Sequence, residues 1–121
     1  MPTIFLVEDD DAAREALSLM LEVHGFEVRA FGSGTDLLDG FAPVDGSCAI
    51  LDFNLPDTDG LALHTRLTAI HGHVPFIVIT GRGTDEDRQR ALAAGAVAYF
   101  LKPVRKEPLI AAVLDAVAFT R

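Results

Sequence analysis

The sequence predicts an α/β fold, a doubly wound three-layer sandwich made of five strand–helix repeats. Strand-length apolar runs alternate along the chain with helix-length amphipathic segments. Four of the five apolar runs are nearly continuous in apolar residues, which is typical of strands buried on both faces of a parallel sheet. Because crossovers between parallel strands are right-handed and these connections are short, helices should cover both faces of one sheet.

The five predicted strands are short, and each is bounded by polar or turn-forming residues. They cover residues 3–7, 27–31, 48–51, 76–79 and 97–101. No apolar run reaches the roughly 18 residues that a membrane-spanning helix needs. The N-terminal segment enters the first strand directly and lacks the basic flank and cleavage site of a signal peptide. The sequence therefore predicts no association with a membrane.

The predicted helices lie between the strands and begin at capping residues. The first covers about residues 12–24, with Asp10 or Asp11 as its N-cap and Gly25 at its end. The second begins at Ser33, with an acidic residue three positions later in the spacing of a capping box. These signals define both helices independently of their apolar patterns.

Three further helices are predicted in the second half of the chain. The third begins near Gly60, the fourth begins at Thr84, and the fifth follows Pro108, a residue favoured in a first helical turn. The inner face of the fourth helix offers mainly small side chains, which bury little apolar area, so this helix is predicted to be weakly anchored. Its inner candidates are Ala91, Leu92 and Ala94.

Composition and charge limit the classes of partner. The chain has 121 residues, which suits a single domain over 1–121. Its formal net charge of −8 disfavours direct nucleic-acid binding by this domain. Cys48 is the single cysteine and a predicted core residue, so no internal disulfide forms and a cytoplasmic location is predicted.

His24 and His64 are predicted to lie on helix surfaces.

Polar side chains follow four of the five predicted strands. Glu8 and three aspartates follow the first strand, and Asp52 follows the third. Thr80 follows the fourth strand, and Lys102 follows the fifth. In open parallel sheets, ligands bind beyond the carboxyl ends of the strands, where the strand order reverses. An acidic cluster, a hydroxyl and an amine are therefore predicted to meet at one edge of the sheet.

A divalent cation and a phosphate fit this combination of groups. Glu8, Asp9 and Asp52 would lie close together if strands one and three are neighbours. Like charges at that range cost free energy, which a hard divalent cation relieves. Oxygen ligands without thiolate or imidazole suit Mg²⁺, which keeps room for phosphate oxygens. Lys102 would supply a cation for the same phosphate, and Thr80 would supply a hydroxyl donor.

These residues belong to short segments whose order and spacing resemble a response-regulator receiver domain of two-component signalling, over the full length of the chain. Each segment is weak alone, and their combined order is highly specific. The matching segments are 7–10, 51–56 with Gly60, 79–81, 94–96 and 102–103. The resemblance implies the strand order 2-1-3-4-5 and a signalling domain that catalyses only its own phosphorylation and dephosphorylation.

The resemblance also implies a role for each residue at the predicted edge. Asp52 would accept a phosphoryl group from the phosphohistidine of a sensor histidine kinase or a histidine phosphotransfer protein. Glu8 and Asp9 would hold Mg²⁺ with Asp52 and the main-chain carbonyl of Asn54. Lys102 would pair with the phosphoryl oxygens. Glu8 departs from the family, in which Asp is commoner at this position, and its longer side chain favours a metal contact through water.

A switch is implied by two residues near this edge. Thr80 would donate to the phosphoryl group once Asp52 is modified, and Tyr99 would turn into the space that Thr80 leaves. The surface of helix four, strand five and helix five would then change and control an output domain or a partner. The same surface permits a homodimer, because the last helix carries apolar residues around a wide arc. A cis bond between Lys102 and Pro103 is also implied.

Two other functions fit parts of the pattern. Asp9 and Asp11 follow the first strand as Asp-Xaa-Asp, which is similar to haloacid-dehalogenase-type phosphatases, with the first acid as nucleophile and the second as general acid. Against this, no Gly-Thr pair follows the motif, and Asp52 would have no role. A flavodoxin-type FMN binder would need a Ser/Thr/Gly-rich loop after the first strand, where acids that repel phosphate stand instead.

The sequence is compatible with two kinds of output for such a domain: control of an attached domain, or contact with a separate protein. Residues 80–83, Thr-Gly-Arg-Gly, resemble the corresponding segment of receivers that are fused to helix-turn-helix DNA-binding domains. A free-standing receiver that docks on a protein partner or relays phosphate onward is equally compatible with this sequence.

Overall fold

Strands and helices alternate five times in the computed structural model, which describes residues 2–42, 44 and 46–118. In chain order the elements are β1 (Thr3–Val7), α1 (Asp11–Val23), β2 (Glu27–Phe31), α2 (Gly34–Gly40), β3 (Cys48–Asp52), α3 (Gly60–His71), β4 (Phe76–Thr80), α4 (Asp85–Ala93), β5 (Ala98–Leu101) and α5 (Lys106–Ala118). The predicted strand–helix alternation is confirmed. Residues 1, 43, 45 and 119–121, which the predicted domain includes, lie outside the described residues.

All strand pairs are parallel, and the sheet has the order β2-β1-β3-β4-β5 that the resemblance implies. The order reverses between β1 and β3, because β1 lies between β2 and β3. Val7 is in register with Leu51, and Thr80 is in register with Leu101. The ends of β1, β3, β4 and β5 therefore meet along one edge of the sheet, which we call the carboxyl edge.

Apolar side chains on both faces of the sheet form two hydrophobic cores. Helices α2, α3 and α4 cover one face, and α1 and α5 cover the other. Alternate residues of a strand point to opposite faces, so each inner strand contributes to both cores and is buried along its whole length. No helix among the described residues is long and apolar enough to cross a membrane. The largest completely buried side chains are Phe5, Phe76, Ile4, Leu6, Leu21, Leu37, Ile50, Leu51, Leu63, Leu67, Ile77 and Ile79.

The helix caps agree with the capping residues in the sequence. Asp10, rather than Asp11, caps α1, and its Oδ2 accepts a main-chain N–H three residues later at 2.8 Å. Thr84 caps α4 in the same way at 3.0 Å. Helix α5 begins at Lys106, earlier than predicted, so Pro108 lies within its first turn. There Pro108 removes no helical hydrogen bond, since N–H groups of the first turn have no partner inside the helix.

Two strands extend one residue further than the sequence predicts. Asp52 is the last residue of β3, and Thr80 is the last residue of β4, so neither belongs to a loop. Asp52 is 3% exposed, and Thr80 is completely buried. The parallel sheet therefore holds the main chain of both residues, which fixes where their side chains begin.

Helix α4 has little apolar contact with the sheet, in agreement with its predicted weak anchoring. Ala91 is buried. Leu92 is 38% exposed and Ala94 is also exposed, so the prediction that these two residues face inward is wrong. Successive helical residues lie about 100° apart, so the neighbour of a buried residue turns away from the sheet. Arg90 adds a polar contact, with its guanidinium carbon 5.7 Å from the centre of the Phe53 ring.

His64 is buried, so its predicted position on a helix surface is wrong. It is 7% exposed, and its ring stacks on Phe76 with the ring centres 3.7 Å apart. Its Nε2–H donates to the main-chain carbonyl of Val74 at 2.9 Å, which satisfies the polar edge of the ring. Burial lowers the pKa of His64, and the hydrogen bond to Val74 opposes this effect only in part.

Acid is expected to destabilise the protein through His64. A histidine whose pKa is lower in the folded state binds more protons when unfolded, so its contribution to stability is lost as the pH falls below about 6.5. The free energy of unfolding should fall there by up to about 1.4 kcal/mol per pH unit. Urea unfolding across this range should show a smaller slope in His64→Gln and an unchanged slope in His24→Gln, which removes an exposed histidine at the end of α1. Equal slopes in the two variants would contradict this assignment.

Candidate functional site

Asp52 lies at the carboxyl edge, and both of its carboxylate oxygens accept hydrogen bonds. Oδ1 accepts the main-chain N–H of Asn54 at 3.0 Å. Oδ2 accepts a hydrogen bond from Nζ of Lys102 at 2.6 Å. A carboxylate this deeply buried requires such donors, because burial removes the water that would otherwise solvate its charge.

Lys102 joins two buried carboxylates. Its Nζ lies 2.6 Å from Oδ2 of Asp52 and 2.5 Å from Oε1 of Glu8. Its main-chain N–H donates to the Thr80 carbonyl at 2.8 Å, and the bond from Lys102 to Pro103 is cis, as the resemblance implies. Burial disfavours the charged ammonium, but the hydrogen bonds and charges of Asp52 and Glu8 outweigh burial and raise the pKa of Lys102.

Three carboxylates meet beside Lys102. Oxygen atoms of Glu8, Asp9 and Asp52 lie within 4.8 Å of one another. Glu8 is completely buried, and its Oε2 accepts the main-chain N–H of Asp10 at 3.2 Å, whereas Asp9 is exposed. One ammonium cannot balance this much negative charge, and a set of oxygen ligands fits a hard divalent cation such as Mg²⁺.

The Thr80 hydroxyl is engaged with the β4–α4 loop. It donates to the Arg82 carbonyl at 2.9 Å and accepts the Arg82 N–H at 3.2 Å. It also accepts a hydrogen bond from Nδ2 of Asn54 at 3.3 Å. The hydroxyl proton therefore points to the loop, and Asn54 connects Thr80 to the loop that follows β3.

Tyr99 lies on β5 beneath the same loop. It is in register with Val78, and its ring packs against the core beneath α2, α3 and α4. Its hydroxyl is buried and has no hydrogen-bond partner among the described residues. A Cβ at Gly83 would lie 2.6 Å from this hydroxyl oxygen, so the loop passes directly over it. Burial, and then the charge of Asp87, raise the pKa of Tyr99.

An open cavity of about 570 Å³ lies at the carboxyl edge. Residues from the start of α4 complete its lining, and two of them, Thr84 and Asp87, were not predicted to lie there. The capping signal at Thr84 was the available clue, since it brings the first turn of α4 close to the end of β4. The residues that line the cavity are Asp9, Asp52, Asn54, Gly81, Arg82, Thr84, Asp87 and Lys102.

Asp11 does not join Asp9 at this cavity. Its exposed carboxylate forms an ion pair with Arg14 at 2.5 Å, and it is not among the described residues that line the cavity. The pair of acids that a phosphatase of the alternative type would need is therefore not assembled. Arg14, which the sequence did not single out, also donates to the main-chain carbonyl of Glu8 at 2.9 Å.

Comparison with known proteins assigns this chain to a class. The sequence profile of the response regulator receiver domain matches residues 4–114. The chain therefore belongs to the receiver-domain family of two-component response regulators, a class of signalling domains. The resemblance seen in the sequence is thus confirmed.

Individual relatives agree with this family. The chain is 40% identical over 113 residues to nodulation protein W of Bradyrhizobium diazoefficiens. This match covers 93% of the chain and 50% of that protein. It is 36% identical over 110 residues to the transcriptional regulatory protein FixJ of Azorhizobium caulinodans, covering 91% of the chain and 52% of that protein. The chain thus spans about half the length of these curated relatives.

Solved structures show the same fold. The crystal structure of FixJ-N superposes with a TM-score of 0.87 at 30% identity, and the match covers 98% of this chain and 95% of that one. The response regulator StyR superposes with a TM-score of 0.89 at 34% identity, over 98% of this chain and 60% of that one.

Proposed function

We propose that this chain is a phosphoacceptor receiver domain in which Asp52 accepts a phosphoryl group from a sensor histidine kinase or a histidine phosphotransfer protein. The observation that carries the proposal is the buried Asp52 carboxylate, 2.6 Å from Nζ of Lys102 and clustered with Glu8 and Asp9. Family membership supports the same assignment. The proposed domain spans residues 1–121 and acts in the cytoplasm.

The chemistry needs positioning and charge neutralisation more than new bonds to the protein. Glu8, Asp9, Asp52 and the main-chain carbonyl of Asn54 would hold Mg²⁺, which supplies positive charge to the transferring phosphoryl group. A carboxylate oxygen of Asp52 attacks phosphorus in line as the P–N bond of phosphohistidine breaks, and the leaving imidazole takes up a proton from water. Lys102 pairs with the phosphoryl oxygens. Water later hydrolyses the acyl phosphate, so the domain catalyses its own phosphorylation and dephosphorylation.

The test is phosphorylation of the wild type and Asp52→Asn by a small phosphodonor such as acetyl phosphate, with Mg²⁺ and with EDTA. We expect the wild type to gain one phosphoryl group in the presence of Mg²⁺ only. Equal labelling of the two proteins would refute the proposal.

The acyl phosphate is proposed to act as a switch. It carries about two negative charges at the carboxyl edge. The Thr80 hydroxyl, which donates to the Arg82 carbonyl in this structure, would turn to donate to the phosphoryl group instead. Tyr99 would then turn into the space that Thr80 leaves, and the β4–α4 loop above it would move. Because α4 buries little apolar area, the surface of α4, β5 and α5 can change at small cost in free energy.

Beryllofluoride, which mimics a phosphoryl group on Asp52, is expected to change the environment of Tyr99. The chain has one tyrosine and no tryptophan, so its tyrosine fluorescence and its tyrosine ring resonances come from this one side chain. Thr80→Ala is the matched variant, which should bind beryllofluoride without the change at Tyr99. Identical Tyr99 signals with and without beryllofluoride in the wild type would contradict the switch.

The proposed output is control of an attached domain or a docked partner. The relative FixJ is named a transcriptional regulatory protein, and this chain spans about half of it. The net charge of −8 disfavours nucleic-acid binding by the receiver itself. A homodimer through α4, β5 and α5 is proposed because Leu101 and Leu114 are 57% and 53% exposed on that surface.

A further inference from the structure

The loop from Phe53 to Asp59 carries the Asn54 carbonyl and is fixed at its base. The Phe53 N–H donates to the carbonyl of Ile79 at 2.7 Å, which continues the sheet. Asn54 and Asp59 form an isolated antiparallel bridge, and the Gly60 N–H donates to the Phe53 carbonyl at 2.9 Å. Within the tip, the Leu55 N–H donates to the Thr58 carbonyl at 3.0 Å and closes a turn. These contacts shape the loop but do not connect its tip to a neighbouring helix.

Asp57 connects this tip to the start of α2. Its Oδ1 accepts the Gly34 N–H at 3.0 Å. Its Oδ2 accepts both the N–H of Thr35, at 2.8 Å, and the Thr35 hydroxyl, at 2.6 Å. Both carboxylate oxygens of this exposed side chain thus accept hydrogen bonds from α2, which lies more than twenty residues earlier in the chain.

The unpaired N–H groups at the start of α2 explain why a carboxylate is suited to position 57. The first N–H groups of a helix have no partner within the helix. The side chain of the N-cap Ser33 accepts the N–H of Asp36 at 3.1 Å, and Asp57 accepts those of Gly34 and Thr35. The hydrogen bonds from the Thr35 hydroxyl and then its N–H lower the pKa of Asp57, so the carboxylate stays charged at neutral pH.

The contact also depends on close packing. A Cβ at Gly34 would lie 2.7 Å from Cγ2 of Thr58, so only a glycine allows the start of α2 to approach the loop tip this closely. Gly34 is buried although it opens a surface helix. Packing and hydrogen bonding therefore act at the same point and hold the tip in one position.

We propose that Asp57 is a positioning residue for the metal, one that keeps the Asn54 carbonyl in place by anchoring the loop tip to α2. The inference rests on the proposed function, in which this carbonyl is a Mg²⁺ ligand. A loop without its anchor populates several conformations, and the apparent affinity falls by the fraction that is competent to bind. Loss of the anchor should therefore weaken Mg²⁺ binding by about 3- to 10-fold.

Calorimetric titration of Mg²⁺ into the metal-free protein tests this inference. Asp57→Ala is expected to raise the Kd by about 3- to 10-fold, and Thr35→Val, which removes only the hydroxyl, by a smaller factor. Asp39→Ala is the matched control, since it removes an exposed acid from α2 that takes no part in these hydrogen bonds. An equal Kd in Asp57→Ala and Asp39→Ala would overturn the inference.

A reciprocal measurement separates positioning from a merely structural role. Coupling between two sites is mutual, so Mg²⁺ should slow hydrogen exchange of the Gly34 and Thr35 amides in the wild type, and this effect should vanish in Asp57→Ala. Exchange that does not respond to Mg²⁺ in the wild type would overturn the positioning role while Mg²⁺ still binds. A wild type that does not bind Mg²⁺, or an Asp52→Asn variant that binds it equally well, would overturn the metal site itself and this inference with it.

Discussion

Asp52→Asn is expected to reduce labelling by a small phosphodonor by at least about 100-fold, because an amide oxygen lacks the negative charge that makes a carboxylate nucleophilic. The substitution nearly preserves the volume of the side chain. The Asn54 N–H keeps an acceptor, and Lys102 keeps its ion pair with Glu8. The variant should therefore fold, and a loss of labelling would report the missing nucleophile. The measurement is the intact mass after incubation with acetyl phosphate and Mg²⁺.

Matched variants of the neighbouring acids show which carboxylate reacts. Asp11→Asn should be labelled like the wild type, because Asp11 is exposed and paired with Arg14 away from the cavity. Asp9→Asn should be labelled more slowly, since it loses one proposed metal ligand, but still on Asp52. A phosphopeptide map that places the label on Asp9 would favour the phosphatase alternative and would refute the proposed function.

The fold could be predicted from local patterns, because each strand and most helices carry a sequence signal that lies within a few residues. Continuous apolar runs predicted the inner strands, and capping residues such as Thr84 predicted the helix starts. The errors at the carboxyl ends of β3 and β4 have one cause. Asp52 and Thr80 are polar, so the apolar pattern stops before them, although the sheet still includes their main chain.

The candidate site could be predicted only at the level of which strand ends meet. A parallel sheet brings Glu8, Asp52 and Lys102 to one edge, and their chemistry indicated a metal and a phosphate. The buried position of His64 and the contact of Asp57 with α2 could not be predicted. Their partners are 10 residues away for His64 and 22 to 23 away for Asp57, and both depend on how a helix docks. No periodicity in the sequence reports such a contact.

Lys102→Met is expected to lower the free energy of unfolding by about 3 kcal/mol without metal. The substitution leaves two buried carboxylates, those of Glu8 and Asp52, without their shared cation. The pKa of Lys102 is raised in the folded protein, so its contribution is complete below the ordinary lysine value of about 10.4 and is lost only as the pH rises through the raised value. Urea unfolding near neutral pH therefore measures the whole contribution.

Mg²⁺ should restore much of the stability that Lys102→Met loses. A metal at about 100 times its Kd stabilises the folded state by about 2.7 kcal/mol, and the variant should bind it more tightly because no ammonium holds Oδ2 of Asp52 and Oε1 of Glu8. The difference in unfolding free energy between wild type and variant should therefore shrink as Mg²⁺ is added. Lys106→Met, which removes the exposed lysine at the start of α5, is the control and should change neither value. A difference that stays constant across the Mg²⁺ titration would mean that these carboxylates do not bind the metal.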